Sequence, residues 1–461
     1  MDKYTEYRKQ YEIFKYKGFD LSEENNEIKV VYHFEIEGLS EFNPKWSFPM
    51  GINSLEELKI NGTFMKMIFS LGMVELISYW KICCPKKVII YGYKLSEEQI
   101  DWWRELYFLG LGEYFYTNNI KATIEDFMEI ISLGEDNSMK CYPLGGNAGC
   151  LVPIGGGKDS SVSLELLRKS GENIKCFIIN PRGATLNTVS AGGMEKNLII
   201  VRRTLDKNMI ELNKRGFLNG HTPYSAIVAF SSTITAYLHN LKYITLSNED
   251  SANESTVKGT DVNHQYSKSF KFEMDFHRYE EKYLGSNTLY FSLLRPLSEL
   301  QIAGYFATLK AYHGIFRSCN VGSKEDIWCG HCPKCLFVYL ILSPFLSFKE
   351  LNDIFGSDMA NDMTMKDTLD KLIGMVEEKP FECVGSRDEV NTAICMTIRK
   401  YKKSEEVLPY LFEYYMTTPF YNEYIDKENT YFDKFNEENL LPDKFRQLVY
   451  SEVVEGLKKG I

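Results

Sequence analysis

The sequence predicts an α/β protein, with a doubly wound parallel sheet in its middle, an α+β region before it and a helical region after it. Three patterns lead there. Short, fully apolar runs alternate with amphipathic segments between residues 150 and 246, strand-like alternation marks the amino-terminal part, and helical periodicity dominates beyond residue 343.

Taken in order, residues 1–140 read as a small α+β domain. Val30-Val31-Tyr32-His33-Phe34-Glu35-Ile36 has the period of a half-buried strand, and 64–80 the period of a long helix. The polar, glycine-containing stretch 134–149 marks the first boundary. Within 145–342, the runs 150–154, 176–179, 198–201 and 243–246 read as strands, and 162–167 and 225–238 as helices between them. Strands apolar on both faces belong to a parallel sheet covered on both sides. Pro344 is a natural break, and 343–461 reads as charged, aromatic-rich helices.

A hydrophobic share of 44% against 25% charged residues is that of an ordinary globular protein. The net charge of -10 argues against a surface built to neutralise a nucleic-acid backbone. The amino terminus, Met1-Asp2-Lys3-Tyr4, is polar, and no apolar run is long enough to span a bilayer. A cytoplasmic protein with no nucleic-acid or membrane partner is expected; its oligomeric state is open. Eleven cysteines in that compartment point to metal rather than disulfides wherever they cluster.

Leu151-Val152-Pro153-Ile154-Gly155-Gly156-Gly157-Lys158-Asp159-Ser160-Ser161 joins a buried strand to a helix. Gly155, Gly156 and Gly157 remove the Cβ atoms that would block an anion and let backbone N–H groups turn towards it. Asp159, Ser160 and Ser161 fit a helix start, whose dipole and free N–H groups favour phosphate, and Lys158 adds a point charge. The pattern is not a Walker A loop, which needs glycine at Val152 and Ser or Thr at Asp159. It resembles the Ser-Gly-Gly-x-Asp-Ser loop of PP-loop ATP pyrophosphatases, with Gly155 in place of the first serine.

Cys319, Cys329, Cys332 and Cys335 follow C-x9-C-x2-C-x2-C, with Gly330 and Pro333 bending the chain. Four thiolates at this spacing can close a tetrahedron around structural Zn²⁺, with an iron–sulfur cluster as the alternative. Four polar stretches remain: Asn180-Pro181-Arg182, Asn219 to Pro223 with His221, Ser247 to Ser255, and Asn263 to Ser269. The first and third end strands, where open α/β sheets place ligands. His264 with Lys268 suits acid/base work, and Glu249 or Glu254 suits Mg²⁺ or a base.

Leu76-Ile77-Ser78-Tyr79-Trp80-Lys81, Gly110-Leu111-Gly112-Glu113-Tyr114-Phe115, the glycine loop, Asn180-Pro181-Arg182, 247–254, 263–269 and 328–335 together resemble the ATP-dependent UDP-N-acetylmuramoyl-L-alanyl-L-glutamate epimerases. The resemblance implies an adenine nucleotide α-hydrolase-like fold and inversion of the terminal L-glutamate of a UDP-linked muramoyl dipeptide in cell-wall synthesis, with ATP and Mg²⁺ consumed. It further implies that residues 155–161, Asn180 and Arg182 serve the nucleotide. Lys158, Asp159, His221, Glu254, His264 and Lys268 become candidates for catalysis. Two other classes compete: another adenylating PP-loop enzyme that amidates, thiolates or forms a nitrile, and a non-catalytic nucleotide-binding scaffold. The absence of a convincing second cysteine pair disfavours the thiolating enzyme, and intact Lys158-Asp159-Ser160 disfavours the scaffold.

Overall fold

The computed structural model describes residues 2–135, 139–146, 148–250, 266–380, 382 and 384–460. Among them, eleven strands form a single mixed sheet. They are β1 (Ile13–Glu24), β2 (Glu27–Ile36), β3 (Ser40–Phe42), β4 (Lys45–Pro49), β5 (Lys87–Ile90) and β6 (Glu129–Ser132), then β7 (Cys150–Pro153), β8 (Ile174–Ile179), β9 (Leu198–Thr204), β10 (Tyr243–Leu246) and β11 (Leu289–Ser292). The order is β11-β10-β7-β8-β9-β4-β2-β1-β5-β6, with β3 paired to β2 alone.

β7 to β11 are mutually parallel and form the block that the apolar runs predict. β11 is an addition, because four residues inside a longer apolar stretch carry no period of their own. The predicted parallel sheet is also extended by a mixed one. β4 pairs antiparallel with β9 from Lys45–Thr204 to Ser47–Arg202, and through it β2, β1, β5 and β6 continue the same sheet.

The two faces of the parallel block belong to different cores, as alternation along a strand requires. Leu151, Phe177, Ile199 and Ile244 pack into the amino-terminal core with helices Gly62–Trp80 and Tyr224–Leu238. Cys150, Val152, Cys176 and Ile178 face the other way, onto helix Lys158–Arg168 and the carboxy-terminal helices. The first long helix starts where Asn61 accepts from the N–H groups of Thr63 and Phe64, satisfying two of the donors that a helix start leaves open. Beyond residue 343 only helices occur among the described residues.

Candidate active site

β7, β8 and β9 succeed one another outward in one direction, while β10 and β11 lie on the other side of β7. The chain therefore switches direction between β7 and β10, and a crevice opens there at the carboxyl ends of the strands. Gly155 leaves β7 at that point. Gly155 is exposed, and a Cβ on it would meet nothing within 4 Å. Gly156 has φ +82°, and a Cβ on it would lie 2.9 Å from the Cβ of Ala184 and 3.0 Å from the backbone nitrogen of Thr185. One side of the loop is thus sealed against protein while the other is open.

Gly157 caps helix Lys158–Arg168, and the hydroxyls of Ser160 and Ser161 each donate to its carbonyl at 3.1 Å. The first N–H groups of this helix lack intrahelical partners and carry the positive end of its dipole. The arrangement is suited to an anion.

Lys158 sits differently from the point charge expected beside the loop. Its side chain is 2% exposed, and its ammonium is ion-paired with Asp159 and with Glu299, which is 3% exposed. Burial works against the charge on Lys158, but Asp159 and Glu299 outweigh it and hold the proton more firmly than usual. Burial pushes Glu299 up; Lys158 opposes this, and the carboxylates of Asp159 and Glu249 add to it. Asp159 remains partly exposed.

At the end of β8, Asn180 adopts φ +52° and its amide grips the main chain of Arg203 in both directions, at 2.7 and 2.9 Å. Its side chain pins β8 to β9. Arg182 is exposed just before helix Gly183–Ala191, with its N–H bonded to the Thr185 hydroxyl at 2.9 Å.

The four cysteines converge, with ligand atoms all within 4.8 Å of one another. Sulfur separations of 3.8 Å (Cys319–Cys332), 3.6 Å (Cys329–Cys335) and 3.5 Å (Cys332–Cys335) are close to the edge of about 3.8 Å that a tetrahedron of thiolates around zinc has. The donor set fits a closed metal site. The segment leading into it touches the glycine loop: the Arg317 N–H donates to the Gly156 carbonyl at 2.7 Å. Asp326, inside the knuckle, accepts from the Ala184 N–H at 2.7 Å.

At the ends of β10 and β11, fully buried Arg295 donates to the Glu249 carbonyl at 2.7 Å, to the Lys268 carbonyl, and to Glu273 at 3.1 Å. It therefore ties together the two flanks of residues 251–265. Glu254 and His264 lie outside the described residues. Lys268 ends the short turn Tyr266–Lys268. His221 is 3.5 Å from Glu113, on the loop that precedes helix Tyr224–Leu238. A cavity of about 460 Å³ adjoins Asp250, Pro296 and Ser298, closed from the carboxy-terminal region by Tyr431, Lys434 and Asn436. Asn436 donates to Asp250 at 2.6 Å.

Sequence reasoning misses Glu299, Arg295, Asp326 and Glu113 as parts of this edge. Arg295 left a trace as a single charge in Leu293-Leu294-Arg295-Pro296-Leu297, and Glu113 stands within the block 110–115 that carries the resemblance.

Residues 5–293 match the family model described as the MurL N-terminal domain, and residues 315–417 the one described as the MurL C-terminal domain. The chain belongs to the MurL family. Three relatives carry the name UDP-N-acetyl-alpha-D-muramoyl-L-alanyl-L-glutamate epimerase. The protein of Xanthomonas oryzae pv. oryzae (strain MAFF 311018) is 34% identical over 346 residues, covering 73% of this chain and 76% of the relative. Those of Micromonospora sp. (strain ATCC 39149 / NRRL 15099 / SCC 1413) and Salinispora tropica (strain ATCC BAA-916 / DSM 44818 / JCM 13857 / NBRC 105044 / CNB-440) are each 34% identical over 340 residues. They cover 72% of this chain, and 75% and 73% of the relatives. In this MurL chain the glycine loop and all eleven strands fall in the first matched segment, and Arg317, Asp326 and the four cysteines in the second. The bonds from Arg317 and Asp326 thus join the two segments. Among the described residues, no helix is long and apolar enough to cross a membrane.

Proposed function

We propose that this MurL protein inverts the terminal L-glutamate of UDP-N-acetylmuramoyl-L-alanyl-L-glutamate to D-glutamate, as a cytoplasmic step of peptidoglycan precursor synthesis. ATP is the co-substrate, and AMP and pyrophosphate are the co-products. The observation that carries this reading is the 34% identity, over about three quarters of each chain, to three proteins bearing that epimerase name. The glycine loop at the switch point supports the nucleotide part.

The chemistry explains why an epimerase needs such a loop. Removing an α-proton beside an ionised carboxylate sets a carbanion next to existing negative charge. Attack of that carboxylate on the α-phosphorus of ATP releases pyrophosphate and forms a carboxyl–AMP anhydride, which neutralises the charge and acidifies the adjacent C–H. A base then takes the proton and an acid returns one to the opposite face. Water cleaves the anhydride, giving the D-glutamyl carboxylate and AMP.

In this reading the backbone of 155–157 with Ser160 and Ser161 cradles phosphate, and Arg182 offers an exposed guanidinium to anionic groups of ATP or substrate. Lys158 acts from beneath, fixing Asp159 at the mouth of the loop. Asn180 shapes the rim through Arg203. His221, Lys268, Glu254 and His264 are the proton-transfer candidates. Glu249 and Glu254 are the carboxylates offered for Mg²⁺, which when bound supplies positive charge against the leaving pyrophosphate. The four cysteines would hold zinc with no open position, so that the metal would serve to keep Arg317 and Asp326 against the loop.

Incubation with ATP, Mg²⁺ and the UDP-linked L-Ala-L-Glu dipeptide in D₂O should place deuterium at the glutamate α-carbon and form AMP. If folded protein does neither, the epimerase reading is wrong.

A further inference from the structure

Two sequence blocks, 76–81 and 110–115, take no part in the chemistry above, yet the fold brings both to one loop. Lys81, directly after helix Gly62–Trp80, donates its ammonium to the Gly220 carbonyl. Asn118 donates to the Asn219 carbonyl at 3.1 Å. Glu113, on the short helix Gly112–Thr117, lies 3.5 Å from Nδ1 of His221. Gly110 lets Pro223 close in, since a Cβ there would be 2.8 Å from the proline ring. Gly220 itself, at φ +157°, leaves room for the Tyr114 ring, 3.0 Å from where its Cβ would be. Asn219, Gly220, His221 and Pro223 are therefore each held from the same side, and His221 keeps about a third of its side chain accessible.

Topology says what this clamp faces. Helix Tyr224–Leu238, the second of two helices between β9 and β10, packs on both β7 and β10 and leads into β10. A crossover helix runs antiparallel to the strands it joins, so its start lies at their carboxyl edge. His221, three residues before that start, consequently lies at the carboxyl edge on which the crevice opens. Beside His221 lie Glu113 and, through the Gly220 carbonyl, Lys81, which burial and then Arg203 lower to about 8.

We propose that the Glu113–His221 pair is one of the two proton-transfer groups of the epimerisation, and that Lys81 is a positioning residue that sets the imidazole. This rests on the epimerase reading and deepens it. The imidazole takes the α-proton of the activated glutamyl residue: the Cα–H bond breaks, an N–H bond forms, and the electron pair moves into the enolate of the anhydride carbonyl. Glu113 stabilises the resulting imidazolium. A second acid protonates Cα from the opposite face, and the imidazolium returns its proton to solvent.

The test uses the full chain and two readouts: substrate-dependent ATP–pyrophosphate exchange, which reports adenylation, and α-deuterium incorporation in D₂O. His221→Ala and Glu113→Gln should keep the first within about twofold while lowering the second by about 100-fold or more. Lys81→Met should lower deuterium incorporation in the same selective way. Lys81→Arg, which still donates to the Gly220 carbonyl, should recover most of it. Wild-type deuterium incorporation in His221→Ala or Glu113→Gln would overturn the proposal, as would loss of both readouts in variants that unfold at the wild-type temperature. A wild-type protein silent in both assays would instead remove the epimerase reading, and this proposal with it.

Discussion

Glu75 and Arg203 meet through two bonds of 2.8 Å, with the Glu75 carboxylate fully buried. Trp46 adds a third bond to that carboxylate at 3.2 Å. The pair fastens the first long helix to the end of β9, behind the rim that carries Asn180. Removing one partner of a buried pair leaves the other charge uncompensated. Glu75→Ala should therefore lower stability by about 3–5 kcal/mol in urea unfolding, and a loss under 1 kcal/mol, roughly that of a surface pair, would contradict this account.

Lys158 and Asp159 are neighbours with opposite expected phenotypes. Asp159 is partly exposed beside the open loop, so Asp159→Ala should abolish AMP formation with little change in melting temperature. Lys158→Met strands Glu299 without its cation and should cost about 3–5 kcal/mol of stability. Thermal melts of the two variants side by side decide the matter.

Gly155 and Gly156 should likewise part company. Gly155→Ser meets open space, so the variant should fold as wild type and bind ATP at least as tightly, with a new hydroxyl at the loop. Gly156→Ala must fit a Cβ against Ala184 from a left-handed backbone. It should destabilise by about 1 kcal/mol or more and weaken ATP binding, as read by calorimetry.

The four cysteines predict one zinc per chain by elemental analysis, lost in Cys332→Ser. Because Arg317 and Asp326 reach the glycine loop and the Ala184 N–H from the knuckle, metal loss should reduce AMP formation as well as stability. A metal-free variant with full AMP formation would sever that link.

Lys81 carries a pH signature. Burial, then Arg203, lowers it from 10.5 to about 8 in the folded chain. Between these values the unfolded chain holds a proton that the folded one has released. Wild-type stability should therefore rise with pH from about 8 towards 10.5 relative to Lys81→Met, and the difference should be flat below about pH 8. Paired urea titrations across this range provide the measurement.

What the sequence discloses is what local chemistry dictates. β7 to β10 are legible because burial on both faces leaves uninterrupted apolar runs, the four-cysteine cluster because its members share a short segment, and the glycine loop because its backbone needs are written in three consecutive residues. Long-range partners are silent: Glu299 lies 141 positions from Lys158, and nothing near either announces the other. The same holds for Arg295, whose partners come from two segments, at 249 and at 268–273, and for the three-residue pairing of β4 with β9. Blocks 76–81 and 110–115 stand out in the sequence, but only the folded chain shows that both bear on the loop of His221.

Because β4 covers the flank of β9, the half that holds the glycine loop has no finished border of its own. A fragment starting near residue 145 would present bare main-chain donors and acceptors at 202–204 and uncover Leu151, Phe177 and Ile199, a surface that invites strand addition and aggregation. A protease cut within 139–146 should instead yield two pieces that stay together, and co-expression of the halves, rather than dissection, is the route to studying either one.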